Sequence, residues 1–391
     1  MATLAEVQLQ RLKAERPPTF PSNASGADRV QALAAVLRPN LPENFRARID
    51  SGSVAIGEVG RPDPDAETVR FEDGSNAIIV TSGMMHFVYA VTRAMSGVAT
   101  FTSNGAPTTP QAKSVEEAVA LIADVFKMWR RHCQPTLIDL WRKKGPIEHA
   151  RFPVAPQILA IAEDLASSAE LFMIAHELAH ACFNLGLTKP RLANEETSAD
   201  MLGLGFYAQP ASQLVGVRTA FAGAVLAVRI IAALERSGAR FSAAYPPCGA
   251  RVQNMLQELR AFSPSQQFYD EASTILVAHL DMMDDVDRRL GKPDQPRLDR
   301  LWQARVRMIA VLQEIGCGRQ APGRFPEMWE LTQRDLTAAE QTELAATLVR
   351  YLEKPDPDCV FLPQDMRGAM LGGLGKGVAL LSEPARALFA L

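Results

Sequence analysis

His176-Glu177-Leu178-Ala179-His180, followed by Asn194-Glu195-Glu196-Thr197-Ser198-Ala199-Asp200, decides how this chain is read. On an α-helix, residues four apart lie on one face, so His176 and His180 can offer two imidazoles to one metal ion, with Glu177 beside it. A catalytic Zn²⁺ takes three protein ligands, keeps a fourth position for water, lowers that water's pKa and needs a nearby base. Glu177 has the chemistry and the position of that base. The pentapeptide supplies only two ligands, and the second stretch can supply the third. Asn194 is a good N-cap, and Glu195 and Glu196 suit the positive end of a new helix. Glu196 and Asp200 then share a face. Glu196 can ligate the metal while Asp200 accepts a hydrogen bond from the far nitrogen of a ligand histidine, fixing its tautomer. Glu195 is the rival ligand. The residue four places beyond it is Ala199, which can accept nothing, so Glu196 is preferred.

The first helix is expected to start at Ser167-Ser168-Ala169-Glu170, which has capping-box spacing, and to end at Gly186 after an apolar run through Leu171, Ile174, Leu178, Cys182 and Leu185. A structural zinc site would draw on paired cysteines, and Cys133, Cys182, Cys248, Cys317 and Cys359 contain no CxxC pair.

The two motifs, in this order, resemble the signature of the gluzincin metallopeptidases, HExxH on one helix and ExxxD on the next. The resemblance implies a zincin-like core in which one Zn²⁺ per chain is held by His176, His180 and Glu196, with Glu177 as general base and acid and Asp200 behind the ligands. It implies hydrolysis of peptide bonds in a protein or peptide substrate. The metzincin pattern is absent, because Phe183 stands where its glycine is required. Two further stretches are similar to soluble HtpX-like peptidases. Asn76-Ala77-Ile78-Ile79-Val80, followed by Gly83-Met84-Met85, looks like the strand above the metal, where an extended substrate adds as another strand; an ordinary buried strand reads the same way. Tyr245-Pro246-Pro247-Cys248-Gly249-Ala250-Arg251 stands where that family often carries His-Pro and an arginine, with Tyr245 in place of the histidine. Tyr245 and Arg251 are therefore candidate donors to the oxyanion of peptide hydrolysis, set against the plain alternative of a proline turn and a surface arginine. Tyr207, His279 and His149 are lesser candidates. The architecture is also similar to Lit-like phage-exclusion peptidases, which are HExxH proteins with long non-catalytic regions.

The expected fold class is mainly α with a small β-sheet (α+β), the HExxH helix packing on the ExxxD helix. Three regions are expected: residues 1–75, a metallopeptidase domain over 76–262 with an insertion at about 95–150, and a helical region over 263–391. With 47% apolar residues there is ample material for burial, and a net charge of −3 gives no bulk attraction to nucleic acid or anionic lipid. The unclustered cysteines and a charged N-terminus without an apolar core point to the cytoplasm. The longest apolar stretch, Thr219 to Val228, flanked by Arg218 and Arg229 and continuing as Ile230 to Leu234, reads as a buried helix too short and too charged to span a bilayer. Gly372-Gly373-Leu374-Gly375-Lys376-Gly377 fails as a phosphate loop and reads as a turn, and Asp281, Asp284, Asp285 and Asp287 read as a solvated helix face. The alternative to an enzyme is a non-catalytic zinc-containing binding or scaffold protein.

Overall fold

The structure is a computed structural model. It describes residues 2–15, 29–61, 64–96, 115–132, 156–191, 194–236, 248–290, most of 300–353, and 364–389. The fold is α+β, mostly helical with one three-stranded sheet. Two compact units divide the chain, residues 1–291 and 292–391.

In the first unit, helices α1 (Leu4–Glu15), α2 (Arg29–Leu37) and α3 (Glu43–Asp50) precede strands β1 (Val54–Val59), β2 (Ala66–Arg70) and β3 (Asn76–Thr81). The sheet order is β1-β3-β2, with β1 parallel and β2 antiparallel to β3. Pairing on both sides buries all six residues of β3, as a run of β-branched residues in a central strand requires. The side chains alternate between two faces. Ala77 and Ile79 meet Ala5 and Leu9 of α1, whereas Ile78 and Val80 join the main core. The strand read at Asn76–Val80 is present, but its place differs from that expected: β3 is central, and the edge strand lying on the HExxH helix is β2.

β3 runs directly into α4 (Ser82–Ser96), followed by α5 (Val115–His132) and the 29-residue α6 (Pro156–Asn184), which carries HExxH. Helices α7 (Glu195–Val215), α8 (Val217–Arg236), α9 (Cys248–Phe262), α10 (Gln266–Ala272) and α11 (Thr274–Leu290) complete the unit. α6 is enclosed by α4, α7 and α8, with β2 across it. The capping box expected at Ser167 falls inside α6. Its hydroxyls are spent otherwise: Ser167 Oγ donates to Glu163 O, and buried Ser168 bonds Tyr207 Oη and Thr219 O. The end at Gly186 is as expected. Gly186 takes φ +66°, Leu187 N–H donates to Cys182 O and Gly186 N–H donates to Phe183 O, the two bonds of a Schellman motif.

α8 coincides with the apolar stretch read from the sequence and is buried as expected, but it is not too short or too charged to span a bilayer. Val217–Leu234 is long and apolar enough to cross a membrane, and 72% of it is buried inside the protein. The Arg229 guanidinium pairs with Asp284 and Asp287 of α11, so part of the supposed solvated face of α11 is engaged and Asp287 is buried.

The second unit contains α12 (Arg324–Gln333), α13 (Ala338–Glu353), α14 (Gln364–Ala379) and α15 (Glu383–Ala387) around its own core of Phe325, Trp329, Leu348, Leu374 and Phe389. The Gly372–Gly377 run is helical, within α14, rather than a turn. A Cβ at Gly373 would approach Ile315 to 2.8 Å and one at Gly377 would approach Phe325 to 2.6 Å, so these glycines serve close packing.

Candidate metal centre

Five side chains meet where α6 crosses α7, His176 and His180 from the first and Glu195, Glu196 and Asp200 from the second. Asn194 caps α7 as expected, its side chain accepting from Thr197 N–H at 3.1 Å. That start directs Glu196, Asp200 and Gly203 along one face towards α6. Gly203 lets the helices touch: a Cβ there would lie 3.1 Å from the backbone N and Cα of His176.

The Nε2 atoms of His176 and His180 are 3.1 Å apart. Glu196 Oε2 is 3.3 Å from His176 Nε2, and its Oε1 is 3.6 Å from His180 Nε2. Donors about 2.0–2.1 Å from a tetrahedral zinc lie about 3.3–3.4 Å apart, so the three side chains stand close to that spacing. His176, His180 and Glu196 form the metal-competent group among the described residues, their ligand atoms all within 4.8 Å of one another.

The outer nitrogens decide what faces inward. His176 Nδ1 is 2.9 Å from Asp200 Oδ1, and His180 Nδ1 is 3.0 Å from Glu195 Oε1. A carboxylate beside each Nδ1 favours the Nδ1–H tautomer and leaves a lone pair on each Nε2. Two lone pairs and a carboxylate therefore converge, an acceptor-only set that calls for a cation. Glu196 Oε2 is buried and faces His176 Nε2, on the side where a metal-ligating oxygen would lie.

Protonation expresses the same deficit. Burial pushes the His176 imidazole down, but the Asp200 and Glu196 carboxylates outweigh it and carry it up to about 9. His180 is likewise raised against its burial, chiefly by Glu196. Burial raises the Glu196 carboxyl, and the two imidazoles reverse this and hold it well below its usual range. A metal competes with protons for such a set.

Glu177 is 5% exposed, and burial raises its carboxyl above the usual range, opposed by the two imidazoles and by Thr68. It lines a small pocket with His176, walled by Met84, Phe172, Met173 and Ile231. Asp200 is wholly buried and accepts two bonds of 2.8 Å from Arg251 Nε and Nη2. Arg251, expected at the surface if structural, is 3% exposed and also lines this pocket.

The geometry separates the carboxylates that the sequence left as rivals. Glu196 faces both imidazoles, whereas Glu195, its side chain 54% exposed, meets His180 from behind. Tyr245 and His149 lie outside the described residues. Tyr207 is in the core, bonding Ser168 and Ala220 O through its hydroxyl. His279, on α11, has a buried Nδ1 without a hydrogen-bond partner, and burial lowers it to about 4. Cys182 is buried beneath the site, its thiol pushed up to about 12 by desolvation, which makes it inert. Besides the Arg251–Asp200 pair, two contacts were not read from the sequence. One is Glu195 on His180; the other is Thr68 of β2, whose hydroxyl is 2.7 Å from Glu177 Oε2. No local pattern marks Thr68, since strand β2 reaches α6 only through the tertiary fold.

Residues 83–270 match the sequence model of a family described as Peptidase U49. That span covers both motif helices and the pocket-lining α4, α8 and Arg251, and it supports a peptidase. No curated protein and no solved structure matches the chain.

Proposed function

We propose that this protein is a zinc-dependent metallopeptidase of gluzincin type, hydrolysing peptide bonds of a protein substrate in the cytoplasm. The observation that carries this reading is the convergence of three acceptor side chains, His176, His180 and Glu196, beside a buried carboxyl, Glu177, within the span similar to Peptidase U49. Zinc, when bound, would polarise the scissile carbonyl and acidify water. Glu177 then takes a proton from that water and returns it to the leaving amine. Its raised pKa brings it closer to the neutral range in which a group can both accept and release a proton. Asp200 and Glu195 hold the ligand imidazoles in the required tautomer, and Arg251 anchors Asp200. Arg251, at the pocket wall, and Tyr245 are the candidate donors to the developing oxyanion. The outer edge of β2, next to Glu177, is where an extended substrate would add as a fourth strand.

Elemental mass spectrometry on the purified chain tests the metal. We expect about one zinc per chain, lost in Glu196→Ala and kept in Glu195→Ala. Loss in the second variant and retention in the first would reverse the ligand assignment. Glu177→Gln, with zinc retained, should trap substrate uncleaved; unchanged cleavage in that variant would remove Glu177 as the base, and no cleavage by the wild type would leave the scaffold reading.

A further inference from the structure

We propose that Thr68 is a positioning residue for Glu177, holding one carboxyl oxygen so that the other is kept for proton transfer. The inference rests on the catalytic reading of Glu177 given above.

The placement follows from strand register. β2 is Ala66-Glu67-Thr68-Val69-Arg70, and it pairs antiparallel with β3 so that Thr68 stands opposite Ile78 and Val69 opposite Ala77. Paired residues share a face. Ile78 points into the main core, on the side of α6, whereas Ala77 points towards α1 and has Val69 packed beside it. Thr68 is therefore turned onto α6, and a slip of one residue would present Glu67 or Val69 instead. The register is pinned at the start of β2, where Thr81 N–H donates to Asp65 O at 3.0 Å and Asp65 N–H donates to Thr81 Oγ1 at 3.0 Å.

The hydroxyl of Thr68 lies 2.7 Å from Glu177 Oε2 and 2.9 Å from Glu177 O. It has one hydrogen to donate and two acceptors, both on the same residue. Whichever it serves, the strand grips Glu177. The pocket around this carboxyl is walled by Met84, Phe172, Met173, Ala227 and Ile231, with Asp65, His176 and Arg251 as its other polar members, and the side-chain hydrogen bond of Glu177 is the one from Thr68.

The consequence is a division of labour between the two oxygens. With Oε2 held by β2, Oε1 receives the proton: a water O–H bond breaks, its electron pair stays on the water oxygen, and the Oε1–H bond forms. In the neutral carboxyl Oε2 is the carbonyl oxygen and still accepts from Thr68. When the Oε1–H bond breaks and the leaving nitrogen gains that hydrogen, the carboxylate is restored in the same orientation. The Thr68 bond thus persists through both proton transfers. It also ties the base to the strand that, among the described residues, forms the edge of the sheet on this side.

The test uses the full zinc-loaded chain and its Thr68→Val, Thr68→Ser and Glu177→Gln variants. Activity is read on a peptide mixture from a trypsin-digested cell lysate, with new termini identified by mass spectrometry. Kinetics follow on a peptide that wild type cleaves. Valine keeps the shape and removes the hydroxyl, and serine keeps the hydroxyl. We expect Thr68→Val to lower kcat about 10- to 100-fold, the scale of a misplaced reacting group, with KM and zinc content unchanged, and Thr68→Ser to restore most of it. Independently of activity, the ¹³C carboxyl resonance of Glu177, assigned by its loss in Glu177→Gln, should shift in Thr68→Val and return in Thr68→Ser at fixed pH. An unshifted resonance overturns the contact. A shifted resonance with wild-type kcat overturns the positioning role, as does Thr68→Ser failing as badly as Thr68→Val. Equal cleavage by wild type and Glu177→Gln, or no cleavage by either, sinks the base assignment, and the resonance then still decides the contact.

Discussion

Asp200 is wholly buried and divides its carboxylate between Arg251 and His176. Burial alone would raise this acid. The Arg251 guanidinium and then His176 overcome that and hold it below its usual range. Removing either partner has a separable effect. Asp200→Ala should weaken zinc binding about 10- to 100-fold, read by competition with a chelator, because His176 loses the group that fixes its tautomer. Arg251→Met should lower unfolding free energy by about 3–5 kcal/mol in urea titrations, because it leaves the buried Asp200 carboxylate with His176 alone in place of two partners; a loss under ~1 kcal/mol would show that the His176 contact suffices. At this scale the sequence was legible wherever the spacing was helical. His176, Glu177, His180, Glu196 and Asp200 sit on two consecutive helices, and a period of 3.6 tells which of them share a face. Thr68 and Arg251 were harder to read. Thr68 meets the site across 109 residues and Arg251 meets Asp200 across 51, distances over which no local periodicity applies.

Helix α7 offers a paired test of how closely it must approach α6. Gly203 and Gly205 are both interior to α7, but a Cβ at Gly203 would meet the backbone of His176 at 3.1 Å, whereas one at Gly205 would meet nothing within 4 Å. Backbone cannot swing aside as a side chain can. Gly203→Ala should therefore cost about 1–3 kcal/mol by forcing the helices apart, and should weaken zinc binding as Glu196 withdraws from the imidazoles. Gly205→Ala should stabilise by about 0.5–1 kcal/mol through helix propensity alone. Thermal unfolding of both variants checks the contrast, and equal shifts would refute it. Elements with strong punctuation were readable, among them the Asn194 cap and the Gly186 stop. The start of α6 was not, because a serine's hydroxyl caps a helix only when no better partner is near, and Ser168 finds Tyr207 and Thr219.

For the whole molecule, both the candidate metal centre and its pocket lie within residues 1–291, while residues 292–391 have their own core. A chain ending at residue 291 should accordingly bind one zinc with wild-type affinity, checked by elemental analysis and chelator competition. Buried acid in the first unit also sets a pH dependence. Glu170, 1% exposed, is raised by burial to about 7, against the pull of Arg29 and with a further push from Glu58. Its folded-state pKa lies above the unfolded 4.5, so the folded state holds the proton more tightly. The stability it contributes is fully present below pH 4.5 and is lost as pH rises through about 7. Glu170→Gln should flatten the fall in unfolding free energy across that window, and an unchanged slope would place the effect elsewhere.

Helix α8 has a consequence for how the chain is made. Its stretch Val217–Leu234 has a mean hydropathy of 1.8, by composition fit to be handed to a membrane insertion machinery as it leaves the ribosome. What meets it instead is the rest of the first unit: α6 and α7, made before it, and α9 and α11, made after it, all pack directly on it. The order of translation therefore presents one half of its cradle before the segment and the other half only after it. A lesion that delays α6, even far from the metal, would leave a spare membrane-like sequence exposed on the nascent chain, so mistargeting rather than simple loss of activity would be its first symptom.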